Sequence, residues 1–201
     1  MKARIIRIAA ASVVALLVAA GIAWWQVEHA ANSVQSAVPI GGRFTLTDHT
    51  GRTVTDADYR GKYLLIYFGY TYCPDVCPTE LGVMAQALDR LDPAKAAKVQ
   101  PLFVSVDPER DTVAHMKDYV ALFHPRLVGL TGTPEQIRDV ARAYRVYYAK
   151  APQKDGGPSD YLMDHSSFIY LMGPDGAFVG VYPAGTTPEQ MAENLGARLS
   201  G

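Results

Sequence analysis

From Ile8 to Trp25 the run IAAASVVALLVAAGIAWW holds eighteen positions without a charge, a length that as a helix comes close to crossing the hydrocarbon layer of a bilayer. Lys2, Arg4 and Arg7 precede it, and the first basic residue beyond it is Arg43. That asymmetry places the N-terminus on the cytoplasmic side and everything after about residue 28 outside. Trp24 and Trp25 fall where an interfacial aromatic belt belongs. The run exceeds the apolar core of an ordinary signal peptide and no small-x-small cleavage pattern follows it. The expectation is therefore an uncleaved single transmembrane helix, an anchor over 1–27. The stretch EHAANSVQSAVPIGG is small and polar without periodicity, which predicts a linker over 28–39 and a folded domain over 40–201.

Within that domain the pattern alternates between two periods. FTLTDHTGRTVT (44–55) switches apolar and polar about a His-Thr-Gly turn, predicting a β-hairpin with His49 solvated in its turn. YLLIYFGY (63–70) and VQPLFVSVD (99–107) are continuous apolar runs, as strands buried on both faces require. Between them Leu81, Met84, Ala85, Leu88 and Leu91 recur at helical spacing from Pro78 onward. A second helix is expected over Thr112–Phe123 and a short strand at LVGLTG. Thr133-Pro134-Glu135-Gln136 and Thr187-Pro188-Glu189-Gln190 each carry a threonine N-cap, proline at the first helical position and a glutamine that closes a capping box. RVYYAK (145–150) is read as a short strand, APQKDGGPSDY (151–161) as a loop, and SFIYLMGPDGAFVGVYP (167–183) as a hairpin turning at Pro174-Asp175-Gly176. Alternating strands and helices with a late antiparallel hairpin predict an α/β sheet covered by helices. A cysteine pair just beyond the first central strand narrows this to the thioredoxin plan, with the N-terminal β-hairpin as an addition.

Composition changes the picture little. The chain has 201 residues and a formal net charge of −1; setting aside Lys2, Arg4, Arg7 and Glu28 leaves 16 basic and 19 acidic residues in the exported part, a net −3. No nucleic-acid footprint follows from this. There is no GKS/T phosphate loop, serine nucleophile elbow or HExxH zinc helix. The two cysteines are too few for a disulfide framework in an exported domain.

Those cysteines lie together in YTYCPDVCP, as Cys73 and Cys77. Both precede proline, which biases each toward extended geometry. Cys77 is expected to cap the next helix, with Pro78 at its first position and Glu80 at its third, so that its sulfur lies by the positive end of the helix dipole and favours thiolate. Thioredoxin-type oxidoreductases use a two-residue spacer, whereas here the spacer is Pro74-Asp75-Val76. The longer spacing suits two thiolates on one metal better than a disulfide, without excluding the disulfide. DHSSFIYLM offers a third donor: His165 lies just before a strand, where thioredoxin-like folds bring a loop opposite the cysteines. Oxidoreductases of that fold carry a cis-proline there, and this chain has Ser166 and Ser167. Two thiolates and an imidazole suit Cu(I) and can hold Cu(II), and zinc accepts the same set. From the residues alone a metal site, a dithiol redox pair and an inert disulfide all remain open.

Around this set, Asp107, Glu109, Arg110 and Asp111 end a central strand and read either as a partner-docking surface or as a turn feeding the next helix. Asp75 reads either as a support for the ligand loop or as an ordinary turn residue. Asp164 should point away from the His165 ring, since neighbours on an extended segment face oppositely. Tyr67, Phe68, Tyr70 and Met84 read as core, Met163 as core or an outer thioether donor, and His115 and His124 as surface or packing residues.

Taken in order, YFGYTYCPDVCPTEL, FVSVDPERDT, FHPRLVGLTGTPEQI, AYRVYY and MDHSSFIYLMGPDG resemble the SCO/SenC family of membrane-anchored copper chaperones, across about Phe44 to Met191. The resemblance implies a thioredoxin-like fold and copper, as Cu(I) or Cu(II), held by Cys73, Cys77 and His165. It also implies delivery of that copper to the dinuclear copper site of cytochrome c oxidase during assembly. Partners implied are the copper-bearing oxidase subunit and an upstream copper donor, with no nucleic acid. The expected setting is the inner membrane, single-pass, with the C-terminal domain in the periplasm or an equivalent compartment. A thiol-disulfide oxidoreductase that reduces the oxidase's ligand cysteines, with Cys73 and Cys77 as its redox pair, is the alternative. Tyr72 departs from the family pattern, in which many members carry histidine before the first cysteine.

Overall fold

The computed structural model describes residues 18–22, 40–153 and 161–199. The chain divides into two units, Met1–Pro39 and Ile40–Gly201. In the first, residues 18–22 are helical. No helix among the described residues is long and apolar enough to cross a membrane. The rest of the anchor expected over 1–27, and the whole linker over 28–39, lie outside the described residues.

The second unit is a mixed α/β thioredoxin-like domain. Its seven-stranded sheet has the order β2-β1-β5-β4-β3-β8-β9. At its centre β3 (Tyr63–Gly69), β4 (Val99–Ser105) and β5 (Val128–Thr131) run parallel. β8 (Phe168–Met172) lies antiparallel to β3 and hairpins with β9 (Phe178–Pro183). β1 (Thr45–Asp48) and β2 (Thr53–Thr55) form the N-terminal hairpin, which adds to the free side of β5. His49 is not simply solvated, because its backbone N–H bonds the Gly129 carbonyl and its Nδ1 accepts from the Gly129 N–H. It clips the hairpin turn to β5.

The uninterrupted apolar runs have their reason here. In β3 every residue after Tyr63 is buried, and alternate side chains feed two aromatic clusters on opposite faces. Tyr67 stacks on Phe103, which meets Tyr119, while Phe68 packs against Tyr144 and Tyr170. A strand covered on both faces has no position that tolerates a charge. Helices α1 (Val76–Asp89), α2 (Pro93–Ala96), α3 (Val113–Val120), α4 (Pro134–Ala143) and α5 (Pro188–Arg198) supply the cover. Thr112, Thr133 and Thr187 cap α3, α4 and α5, each side-chain oxygen accepting the backbone N–H three residues on.

The chain enters this domain at the opposite edge from the cysteines. The Gly41 N–H bonds the Ala143 carbonyl, and Gly41 (φ +96°) lies against the Met172 side chain. Met172 pairs with Leu64, at the amino end of β3. All three parallel strands point their carboxyl ends away from it.

The sequence-based expectation lacks the short helical segments Asp56–Tyr59 and Pro93–Ala96 and, of more consequence for the site, a strand. Tyr161–His165 is a strand, β7, paired antiparallel with β6 (Tyr148–Pro152) in a separate two-stranded sheet. His165 therefore ends a strand of its own hairpin, and β8 begins only at Phe168. The central part of the loop between these strands, residues 154–160, lies outside the described residues.

Candidate metal centre

Three elements meet at the carboxyl edge of the central sheet. β3 ends at Gly69, the cysteine loop follows, and α1 begins at Val76 with Asp75 as its N-cap residue. Cys77 is thus inside the first turn rather than capping it. Pro78 occupies the third helical position, where its missing N–H is one that would have no intrahelical partner, so it disturbs nothing. The first helical bond runs from the Thr79 N–H to the Asp75 carbonyl. The Cys77 N–H, left free by this start, donates to Cys73 Sγ at 3.4 Å. It is the Cys73 sulfur that takes the place of an anion at the helix N-terminus, correcting the assignment of that role to Cys77.

The two sulfurs consequently differ. Cys77 is fully buried and Cys73 partly exposed, and both are free of disulfide. Donation from the Cys77 thiol and from the backbone N–H groups of Cys77 and Asp75 outweighs burial and holds the Cys73 thiol well below its usual range. The Cys73 sulfur and burial push Cys77 strongly upward. The two shifts run in opposite directions, favouring thiolate at Cys73 and thiol at Cys77.

His165 brings its Nε2 to 3.4 Å from Cys77 Sγ. Its Nδ1 lies 3.1 Å from the Ser166 carbonyl oxygen, which can only accept, so Nδ1 carries the proton and Nε2 presents its lone pair to the sulfurs. The ring stands edge-on to Tyr67 and Tyr70, with centroids 6.1 and 5.9 Å away. Asp164 is exposed and makes no hydrogen bond to this ring.

The ligand atoms of Cys73, Cys77 and His165 all lie within 4.8 Å of one another. Two donors each about 2.3 Å from one ion stand at most about 4.6 Å apart, so the set fits a single ion after small side-chain movements. A second observation agrees with this fit. The Tyr67 hydroxyl is buried beside Cys77 without a formed hydrogen bond, and a metal-bound thiolate at Cys77 would accept from it.

The loop that follows β4 holds the site from beneath. Asp111 Oδ1 accepts from the Thr71 hydroxyl at 2.5 Å, its carboxylate accepts the Thr71 N–H, and Oδ2 takes the Ser105 hydroxyl at 2.6 Å. Burial raises the Asp111 pKa. Asp107 binds Arg110 and the Tyr161 hydroxyl. Both aspartates are buried; of the four polar residues read as a docking surface or a turn, only Glu109, paired with Lys150, faces solvent.

The sequence points to the three side chains that meet here, and not to what shapes the space between them. Tyr67 and Tyr70 were read as core; they are buried, and they also wall the imidazole. A Cβ built on Gly69 would stand 2.8 Å from Cys77 Sγ, 3.0 Å from Phe103 and 3.1 Å from Tyr67. A glycine closing a strand just before a cysteine loop was the available signal. Met84 is core, Met163 is buried, and His115 stacks at 5.0 Å on the exposed Tyr72 ring.

Residues 32–200 match the family model described as SCO1/SenC. The chain belongs to the SCO1/SenC family. Among SCO1/SenC relatives, the mitochondrial SCO2 homolog of Bos taurus is 50% identical over 155 residues, covering 77% of this chain and 58% of that protein. This chain spans about half the length of the curated SCO1/SenC proteins it matches. The solved structure of copper-bound ScoI from Arabidopsis thaliana superposes with a TM-score of 0.75 at 45% identity, covering 80% of this chain and 98% of that one. Copper-bound ScoI from Bradyrhizobium japonicum gives a TM-score of 0.71 at 51% identity, covering 78% and 97%.

Proposed function

We propose that the domain is a copper chaperone that carries one copper ion on Cys73, Cys77 and His165 and delivers it to the dinuclear copper site of cytochrome c oxidase during assembly. The observation that carries this reading is the convergence of two sulfurs and one imidazole nitrogen within 4.8 Å at the sheet edge. Copper in the solved relatives supports the choice of metal. The soft sulfur pair favours Cu(I), and the imidazole lets the same set retain Cu(II). Transfer is ligand exchange: the partly exposed Cys73 is the donor that an acceptor's ligands can replace first, while the buried Cys77 keeps its hold. The acceptor is the copper-bearing oxidase subunit, and a separate donor loads the site. The uncharged run Ile8–Trp25 behind three basic residues supports a single-pass inner-membrane anchor over 1–27, with the linker 28–39 presenting the domain 40–201 in the periplasm or an equivalent compartment.

Anaerobic copper titration of the protein tests this reading. The reduced protein should take up one copper per chain with sulfur and nitrogen donors, and the Cys73–Cys77 disulfide form none. Retention of copper by the Cys77→Ser, His165→Ala double variant would overturn it.

The unequal sulfurs favour a second reading, a thiol-disulfide reductase. The Cys73 thiolate would attack a partner disulfide, and Cys77 would then displace the partner, leaving a Cys73–Cys77 disulfide and a reduced partner dithiol. That activity requires both cysteines and not His165. A His165→Ala variant that keeps its disulfide-exchange rate while losing copper would separate the two activities.

A further inference from the structure

The hairpin that carries His165 hydrogen-bonds to no strand of the seven-stranded sheet among the described residues. Met163 and Tyr161 bury apolar surface, which holds the hairpin against the domain without fixing where its last residue points. Besides the approach of His165 to Cys77 and a contact of the Tyr70 hydroxyl with the Met163 backbone, two charged attachments hold it. Lys150 pairs with Glu109 in the open, where a pair contributes little. The other is built around Arg110, whose side chain is 18% exposed.

Arg110 reaches in three directions at once. Its Nε binds Asp107 Oδ2 at 2.5 Å, and its Nη1 donates to the Tyr161 carbonyl at 3.0 Å. Its Cζ stands 3.7 Å from the Tyr161 ring centroid. Asp107 closes the loop by accepting from the Tyr161 hydroxyl at 2.9 Å. On the other side the same guanidinium lies 4.8 Å from the Tyr72 ring and 5.8 Å from the Tyr70 ring. Tyr72 precedes Cys73 directly, and Tyr70 stands edge-on to the His165 imidazole. One planar cation thus touches both elements that carry donors: the cysteine loop through Tyr70 and Tyr72, the histidine hairpin through Tyr161.

We propose that Arg110 is a positioning residue for the metal site, fastening the β6–β7 hairpin to the cysteine loop so that the His165 imidazole is held over the two sulfurs. This rests on the copper-binding reading for its consequence, though not for its geometry. The role needs the flat, forked guanidinium, which binds a carboxylate edge and a carbonyl while stacking on rings; a lysine keeps the charge and loses the fork. Residues that orient a metal-bound imidazole typically alter metal retention by about 10- to 100-fold when removed. Asp107 acts through Arg110 and Tyr161, and Glu109 is outside the device.

The test compares Arg110→Lys, the milder Tyr161→Phe, the control Glu109→Gln, and His165→Ala. In the metal-free proteins, NMR of the His165 ring protons reports its place between Tyr67 and Tyr70. In the copper-loaded proteins, the nitrogen hyperfine signature of Cu(II) and the copper dissociation rate report whether the imidazole is bound. Arg110→Lys should keep a folded sheet, shift the His165 ring signals, lose most of the nitrogen signature and release copper about 10- to 100-fold faster, approaching His165→Ala. Tyr161→Phe should move the same way by less, and Glu109→Gln should match the unaltered protein. Unmoved ring signals with an intact nitrogen signature in Arg110→Lys would overturn the proposal. If Arg110→Lys does not fold, unmoved signals in Tyr161→Phe would do so. A protein that takes up no copper at all would overturn the functional reading instead, while the metal-free ring signals still decide the positioning role.

Discussion

At the scale of single residues, the site depends as much on an atom that is missing as on the donors. Gly69 leaves the space into which the Cys77 sulfur settles. Its replacement must displace that sulfur or the Phe103 and Tyr67 rings, both packed in a core without slack. Gly69→Ala should therefore weaken copper binding at least tenfold, about 1.4 kcal/mol, while circular dichroism shows the sheet intact. Titration against a competing chelator measures this, and wild-type affinity would refute the steric argument. Cys73, Cys77 and His165 were legible in the sequence as candidates because a lone thiol pair after one buried strand and a histidine before another stand out, although metal, redox and disulfide uses were all open to them. Their inequality was not. Proline after Cys77 suggested a helix starting at Pro78, yet the first turn accepts proline at any position whose N–H has no partner, and the helix starts two residues earlier. That shift of two moved the anion-like position from Cys77 to Cys73.

At the scale of elements, the threonine-capped helices followed directly from local chemistry, since Thr-Pro-Glu-Gln satisfies its own backbone donors whatever surrounds it. The strand β7 escaped because YLMDH is short and its pairing with β6 is supplied by tertiary packing rather than by any tight-turn signature. The β1–β2 hairpin shows how charge enters an element otherwise read from alternation. Asp48 is buried, and although burial opposes its charge, hydrogen bonds from Thr50 and Arg52 lower its pKa to about 2. A carboxyl depressed in the folded state stabilises fully above its unfolded pKa and loses that contribution as pH falls through the folded one. The expected window is pH 4 down to about 2. Asp48→Asn should lower stability at neutral pH by about 1 to 2 kcal/mol, allowing for solvent screening. The gap from the unaltered protein should close toward pH 2 in denaturant titrations, and a gap independent of pH would contradict this origin.

At the scale of the whole molecule, the three donors belong to elements separated by up to 92 positions in the chain, Cys73 to His165. An ion that joins them binds the folded domain and not the unfolded one. At a free copper level 100 times the dissociation constant, linkage adds about 2.7 kcal/mol, which for a domain of this size raises the melting temperature by roughly 5 to 10 °C. Calorimetry before and after chelation measures it. A melting point indifferent to copper would mean that the ion is held by fewer elements than the geometry brings together.

Gly41 enters beside Met172, at the start of β3, and the cysteines follow the end of that strand. Six residue steps of a β-strand, about 20 Å, separate the two poles of the domain. Whatever pulls on the domain through Ile40 therefore pulls from its far side. Cys73, Cys77 and His165 thus gather at the pole of the domain remote from Ile40, and an ion bound among them would sit a full strand's length from where the chain comes in.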